Sequence, residues 1–222
     1  MPAPPPSRLI HLVAIAKSFP QKGGAPKVLF RPVTGSVPAD RRVAILGKPG
    51  NGKTTLLRLL SKTLAPDQGE VIAALRCSPV VNSGGLFHPR LTVFDNIRFI
   101  TRVFGLDVEP VTLAAMAICG VEEGLEHPLR TLPPMQRKAL EAAVTIVLPF
   151  DCYLFDHIGQ MPAETVERCF DEATQRRAGM IFATSNPRLV RQFADFVVVI
   201  NDTTLYPFPC VKEAIAYFDQ QK

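Results

Sequence analysis

The feature that most constrains this chain is a glycine-rich run that matches the pattern G-x-x-x-x-G-K-[ST] in full. A strand-like run at residues 42–46 precedes it, and a helical pattern with Leu56, Leu60 and Leu64 on one face follows it. This order of strand, loop and helix predicts a loop that wraps a phosphate group at a helix N-terminus. We refer to the run as the phosphate loop; its residues are Gly47, Lys48, Pro49, Gly50, Asn51, Gly52, Lys53, Thr54 and Thr55.

Each residue type in the phosphate loop has a predicted role. Glycines permit the backbone to turn its N–H groups inward around a phosphate. The Lys53 ammonium can reach the β and γ phosphates of a nucleotide, and the Thr54 hydroxyl can ligate Mg²⁺. A second, acidic Mg²⁺ ligand is expected at the end of a buried strand, and Asp156 follows the apolar residues 152–155. The sequence therefore predicts a Mg-nucleotide site.

The chain alternates strand-like and helical runs, which predicts an α/β protein with a mostly parallel sheet. Strands are predicted at residues 42–46, in the later part of 145–155, and at 180–183 and 196–200; helical stripes begin near Leu140, Val166 and Val211. Residues 91–140 lack a clear strand and are interpreted as a helical insertion. We expect residues 1–7 to be a disordered tail and residues 8–222 to form a single domain.

Composition excludes several other classes. The 222 residues are 47% hydrophobic, which suits a globular core, and no apolar stretch approaches the roughly 18 residues of a membrane span. No signal-peptide pattern is visible, so a cytoplasmic protein is predicted. The net charge of +5 is spread without a basic block, which argues against a nucleic-acid partner. Five separated cysteines without a C-x-x-C pair are interpreted as buried thiols rather than disulfides or metal ligands.

Residues 44–71, including the turn Pro66-Asp67-Gln68-Gly69-Glu70, resemble the nucleotide-binding subunits of ATP-binding cassette (ABC) transporters. The resemblance implies a RecA-like P-loop NTPase core with N-terminal antiparallel strands, places Phe19 where an aromatic ring stacks on adenine, and places Asp156 at the Walker B position. Residues 85–97 are similar to a segment of exporters for capsular polysaccharide, O-antigen and teichoic acid. A peripheral subunit on the cytoplasmic face of the inner membrane, working with a membrane-spanning subunit, is therefore expected.

The resemblance also implies a second nucleotide-binding subunit, identical or different. In the family, two subunits enclose two ATP molecules, and each site receives an L-S-G-G-Q signature from the opposite subunit. At the position of this signature, the chain has Pro133 and Pro134, which lack the hydroxyl and the N–H groups with which the family's Ser and Gly contact the γ phosphate. Met135 adds a bulky side chain at the same place. The signature segment of this chain consists of Leu132, Pro133, Pro134, Met135 and Gln136.

Three further positions depart from the family. His157 replaces the Glu that polarises the attacking water, Ser185 replaces the switch His, and His88 stands where many relatives carry a Gln near the γ phosphate. Losing a general base typically costs about 10²- to 10⁴-fold in rate, so we expect ATP to bind with weak or no hydrolysis. His157 acting as a replacement base is an alternative.

The main alternative function is a non-hydrolytic regulatory or structural subunit. A GTPase, suggested by the D-x-x-G at Asp156, is disfavoured because no N-K-x-D segment exists.

Overall fold

A computed structural model of the chain describes residues 8–21, 23–82, 86–121 and 124–221. The predicted tail at residues 1–7 therefore lies outside the described residues. The strands are β1 (Leu9–Phe19), β2 (Lys27–Pro38), β3 (Arg42–Gly47), β4 (Gln68–Ile72), β5 (Cys77–Val81), β6 (Cys152–Phe155), β7 (Gly179–Thr184), β8 (Phe196–Asn201) and β9 (Thr204–Phe208). The helices are α1 (Lys53–Leu60), α2 (Val93–Phe104), α3 (Val108–Cys119), α4 (Pro134–Val147), α5 (Ala163–Gln175), α6 (Pro187–Phe193) and α7 (Val211–Gln220).

The centre of the fold is a six-stranded sheet in the order β5-β6-β7-β3-β8-β9. All neighbouring pairs are parallel except β8 and β9, which form an antiparallel hairpin. Every residue of β6 and β7 is buried, as expected for strands covered on both faces. The predicted α/β class with a mostly parallel sheet is confirmed. The carboxyl ends of β3 and β6, where the phosphate loop and Asp156 begin, lie at the same edge of this sheet.

A second, antiparallel sheet has the order β2-β1-β4 and confirms the expected N-terminal antiparallel strands. The pairing of β1 with β2 shifts register at several points between Leu12 and Ser18. Together with α1, this sheet covers one face of the central sheet through a shared apolar core that includes Ile10, Ile45 and Leu56. The arrangement brings the end of β1, with Phe19, beside the phosphate loop.

Helices α2, α3 and the first part of α4 occupy residues 91–140, the segment interpreted as a helical insertion, together with an isolated bridge between Thr92 and Pro128. Helix α4 begins directly at a proline, whose fixed φ suits a first helical turn. Residues Leu140, Ala143 and Val144 of α4 are fully buried in the core on the other face of the sheet.

Two predictions need correction. Helix α1 ends at Leu60, so Leu64 is not on its face as predicted. Lys62 takes a left-handed φ of 58°, so the backbone leaves the helical conformation two residues after Leu60, and the Ser61 hydroxyl donates to the Arg58 carbonyl at this end. The cysteines are also not all buried, because Cys210 is exposed just before α7 and Cys77 is half-buried. In the described part of the chain, no helix combines the length and apolar composition needed to cross a membrane.

Candidate functional site

The phosphate loop connects the end of β3 to the start of α1. Gly50 and Gly52 have φ values of 81° and 90°, a region that favours glycine. A Cβ on Gly52 would also lie 3.0 Å from the Phe30 ring, so this position is restricted by space as well as by backbone conformation. Gly52 precedes Lys53 without a side-chain cap, so the first N–H groups of α1 are available to an anion at this end of the helix.

Lys53 points its ammonium group back along the loop. Its Nζ donates to the carbonyl oxygens of Gly47, at 2.7 Å, and Lys48, at 2.9 Å. Burial lowers the pKa of Lys53, and the nearby Asp156 carboxylate opposes this shift. Among the described residues, the largely buried Lys53 ammonium has two neutral carbonyls as its hydrogen-bond acceptors, so it is well placed to bind phosphate oxygens.

Thr54 and Asp156 meet across the carboxyl edge of the sheet. The Thr54 hydroxyl donates to Asp156 Oδ2 at 2.5 Å, and the other carboxylate oxygen accepts from the His157 N–H at 3.0 Å. Asp156 is only 2% exposed, so its carboxylate is largely shielded from water. A hydroxyl and a carboxylate are hard oxygen ligands that suit Mg²⁺. The described residues contain no cluster of three or more His, Cys, Asp or Glu that could hold a metal ion.

Asn82 supports the Asp156 backbone from the end of β5, a contact that sequence reasoning missed. Its Nδ2 donates to the Asp156 carbonyl at 3.3 Å, and its own N–H donates to the Glu141 carboxylate at 3.2 Å. Burial raises the pKa of Glu141. Asn82 adopts a left-handed φ of 64°, which Asn tolerates better than most residues.

A cavity of about 590 Å³ gathers several of the predicted site residues. It is open to solvent beside the Phe19 ring, which is 39% exposed, and an aromatic face presented this way can stack on a planar base. We call it the phosphate-loop cavity; its described lining residues are Phe19, Lys27, Leu29, Pro49, Gly50, Gly52, Lys53, Thr54, Thr55, His157 and Ser185. The tertiary structure thus brings together four segments that are far apart in sequence.

The position of Phe19 depends on Asp67, a residue that had no assigned role. Its carboxylate accepts from Lys17 Nζ at 2.6 Å and from the Ser18 N–H at 2.7 Å. The Asp67 N–H in turn donates to the Ala16 carbonyl at 2.8 Å. Hydrogen bonds from Lys17 and, next, from the backbone and side chain of Ser18 lower the pKa of Asp67 to about 2. The turn at residues 66–70 therefore fixes the end of β1 just before the aromatic ring. The Asp within that turn is the sequence feature that could have indicated this contact.

His157 and Ser185, the two residues at altered catalytic positions, both line the phosphate-loop cavity. His157 has a left-handed φ of 49°, and its Nε2 lies 3.7 Å from Asp156 Oδ2. Its side chain is about half exposed. The Ser185 hydroxyl donates to the Gly47 carbonyl at 2.8 Å, so Ser185 ties β7 to the phosphate loop.

Other predicted residues are placed elsewhere. The side chains of Lys48 and Asn51 point to the C-terminal part of the chain, where they donate to the carbonyls of Gln221 and Ile200. His88 is absent from the described lining of the cavity. Its N–H donates to the Asn96 side chain at 2.7 Å, and its Nδ1 accepts from the Arg90 N–H.

The signature segment forms the start of α4. Pro133 precedes the helix and accepts from the Arg137 N–H at 3.0 Å, and Pro134 is the first helical residue. Met135 is 53% exposed. None of the residues of the signature segment is among the described residues that line the phosphate-loop cavity.

Comparisons with known proteins show what this chain is similar to. A family model described as ABC transporter matches residues 30–156, more than half of the chain. The ATP-binding protein BexA of Haemophilus influenzae is 25% identical over 215 residues, which are 96% of this chain and 99% of that protein. The capsule polysaccharide export ATP-binding protein CtrD of Neisseria meningitidis serogroup B is 25% identical over 214 residues, covering 95% and 99%.

A third relative, the polysialic acid transport ATP-binding protein KpsT of Escherichia coli, is 25% identical over 198 residues, covering 87% of this chain and 90% of that protein. A solved structure described as the ATP binding subunit of an ABC transporter has a TM-score of 0.77 at 12% identity and covers 94% of this chain and 93% of that one. At that identity, the structural similarity concerns the fold alone.

Proposed function

Because this chain belongs to the ABC transporter family, we propose that it is a transporter subunit that binds Mg-ATP and hydrolyses it weakly or not at all. The observation that carries nucleotide binding is the phosphate-loop cavity, which combines an exposed aromatic ring with the buried ammonium of Lys53 and the hydroxyl of Thr54. These groups match the base, the phosphates and the metal of Mg-ATP in turn.

The binding roles follow from the contacts already described. Phe19 stacks on the adenine, the N-terminus of α1 and Lys53 hold the phosphates, and Thr54 with Asp156 holds Mg²⁺. When bound, Mg²⁺ neutralises part of the phosphate charge. Lys53 exchanges its bonds to the carbonyls of Gly47 and Lys48 for charged phosphate oxygens, which are stronger acceptors. Lys53 is 8% exposed, so little water competes for it.

Weak hydrolysis is proposed because the groups that activate water are replaced. At the position of the family's Glu, His157 contacts the Asp156 carboxylate and is half exposed, so it is poorly held as a base. Ser185 uses its hydroxyl to donate to Gly47 and has no ring nitrogen with which to contact a γ phosphate. Removing a single preorganised donor typically costs about 10²- to 10³-fold in rate.

Pairing with a second subunit does not restore a complete site under this proposal. A site built on this chain's phosphate loop lacks the Glu and the switch His. A site built on the partner's loop receives Pro133, Pro134 and Met135 in place of groups that donate to phosphate. The alternative, a non-hydrolytic regulatory subunit that associates in a nucleotide-dependent way, is favoured by this same double loss.

We propose capsule-type polysaccharide export as the transport process, on the strength of the relatives' names and of the segment at residues 85–97, of which 86–97 are described. A membrane-spanning subunit is the expected partner. The helical segment offers apolar surface for it, because Phe99, Val103 and Leu113 are each about two-thirds exposed. The chain then sits at the cytoplasmic face of the inner membrane.

The test is a joint measurement of ATP affinity and turnover on the purified chain, with and without a co-purifying partner. We expect micromolar to millimolar Mg-ATP affinity that Lys53→Ala abolishes, and turnover near background. Ordinary ABC-type turnover that is also lost in Lys53→Ala would refute the weak-hydrolysis proposal. Failure of Mg-ATP to bind at millimolar concentration would refute the proposed nucleotide site itself.

A further inference from the structure

Lys27 is a cation beside the phosphate loop to which no role has been assigned so far. It is the first residue of β2 and stands opposite Phe19 in the antiparallel pairing of β1 with β2. Its ammonium donates to the Gly50 carbonyl at 3.2 Å, and it lines the phosphate-loop cavity together with Lys53. The strand pairing therefore places a second ammonium at the phosphate loop, on the strand residue opposite Phe19.

No carboxylate of the described residues lies within ion-pairing distance of the Lys27 ammonium, although Asp202 lines a neighbouring cavity together with Lys27. None of the ion pairs formed by the described residues involves Lys27. An ammonium group has three N–H donors, and the bond to Gly50 uses one of them. By contrast, the neighbouring Lys17 is paired with Asp67 at 2.6 Å. Two donors of Lys27 are thus available to an anion in the cavity.

We propose that Lys27 is a further nucleotide-binding residue whose ammonium contacts the polyphosphate chain of ATP. The inference rests on the proposed function, because it assigns this residue to the same Mg-ATP site. Lys27 approaches from β2 and Lys53 from α1, so the two cations lie on different elements around one loop. Such a contact adds affinity without supplying a base, which suits a subunit that holds ATP and does not split it.

The competing explanation is that Lys27 only supports the loop through Gly50. The two explanations predict different effects on the binding of the phosphate part and of the adenosine part of ATP. A phosphate contact changes the affinity for ATP and inorganic tripolyphosphate and leaves adenosine binding unchanged. Loss of loop support changes the thermal or urea stability and weakens all ligands that need a well-formed cavity.

The experiment compares Lys27→Met and Lys27→Arg with the wild type, using Lys212→Met as the control because Lys212 is an exposed residue of α7 outside the cavity. Calorimetric titration measures ATP and tripolyphosphate, and ligand-observed NMR measures adenosine. We expect Lys27→Met to bind ATP and tripolyphosphate about tenfold more weakly, the size of one exposed charged hydrogen bond. Lys27→Arg retains most of the affinity, and adenosine binding is unchanged. Unchanged ATP affinity, or equal weakening of ATP and adenosine, overturns the proposal.

A second measurement does not depend on a variant. Acetylation of surface amines in the wild-type protein is followed by mass spectrometry with and without ATP. We expect ATP to slow the acetylation of Lys27 several-fold and to leave Lys212 unaffected. If ATP binds and Lys27 is not protected, the role of Lys27 is wrong while the proposed function stands. If ATP does not bind at all, the proposed function itself has failed.

Discussion

Gly69 is the residue at which a single methyl group is expected to do most damage near the site. It has a φ of 75°, and a Cβ placed on it would lie 2.2 Å from the Val13 carbonyl oxygen and 2.4 Å from that of Ala14. Contacts under 3.0 Å are essentially never seen for a real Cβ. Gly69→Ala therefore forces β4 away from β1 in addition to straining its own backbone.

The expected loss in the free energy of unfolding follows from the backbone strain and from the steric overlap. A left-handed conformation costs an Ala about 1–2 kcal/mol. Relieving the overlap disturbs the pairing of β1 with β4, where Val13 opposes Glu70 and Ala16 opposes Gln68. Each weakened backbone hydrogen bond costs about 1 kcal/mol. If two or three such bonds weaken, the total loss in the free energy of unfolding expected for Gly69→Ala is about 3–5 kcal/mol.

Two control variants separate strain from overlap in a urea-unfolding assay. Gly105 has a φ of 65° with open space around it, so Gly105→Ala should lose only the backbone cost of about 1–2 kcal/mol. Gly35 has neither a positive φ nor a close neighbour, so Gly35→Ala should be neutral or stabilising by up to about 1 kcal/mol. A loss under 1 kcal/mol for Gly69→Ala would refute this reasoning. So would a loss for Gly105→Ala that exceeds the loss for Gly69→Ala.

Three further outcomes are expected. The lowered pKa of Asp67 means that its ionised form stabilises the fold fully above the ordinary pKa of 3.8, and that this contribution disappears as the pH falls towards about 2. The difference in urea midpoint between the wild type and Asp67→Asn should therefore be constant from about pH 7 to 5 and should close near pH 2; a difference that persists there contradicts the assignment. Thr54→Val should reduce the gain in ATP affinity on adding Mg²⁺ by about tenfold or more, whereas Thr63→Val, outside the cavity, should leave it intact; an unchanged gain excludes Thr54 as a ligand. His157→Glu should raise ATP turnover by less than about tenfold, because Pro133, Pro134 and Ser185 remain; recovery of ordinary turnover would show that those replacements are harmless.

The chemistry of the phosphate loop could be predicted from sequence because it depends on local order. A strand, a glycine-rich turn and a helix are adjacent in the chain, so Lys53 and Thr54 follow directly from the motif. Asp156 was predictable for a related reason, since it ends a run of buried apolar residues that form β6. The parallel sheet followed from the same alternation of strands and helices.

The contacts between distant segments were not predictable in this way. Lys27 stands beside Phe19 only because of the register of β1 with β2, which shifts at several points, and Asp67 meets Ser18 across 49 positions of sequence. The placement of His88 against Asn96 depends likewise on how α2 packs.

The sequence by itself determined that this chain carries the full G-x-x-x-x-G-K-[ST] motif, and that His157 and Ser185 stand where the related family carries Glu and His, because both statements depend only on which residue types occupy a short motif. The tertiary structure decided which side chains surround that loop. It turned Ser185 onto Gly47, brought Lys27 to Gly50 and directed Lys48 away towards Gln221. Strand register and packing set these contacts, since they fix where side chains from separate elements meet.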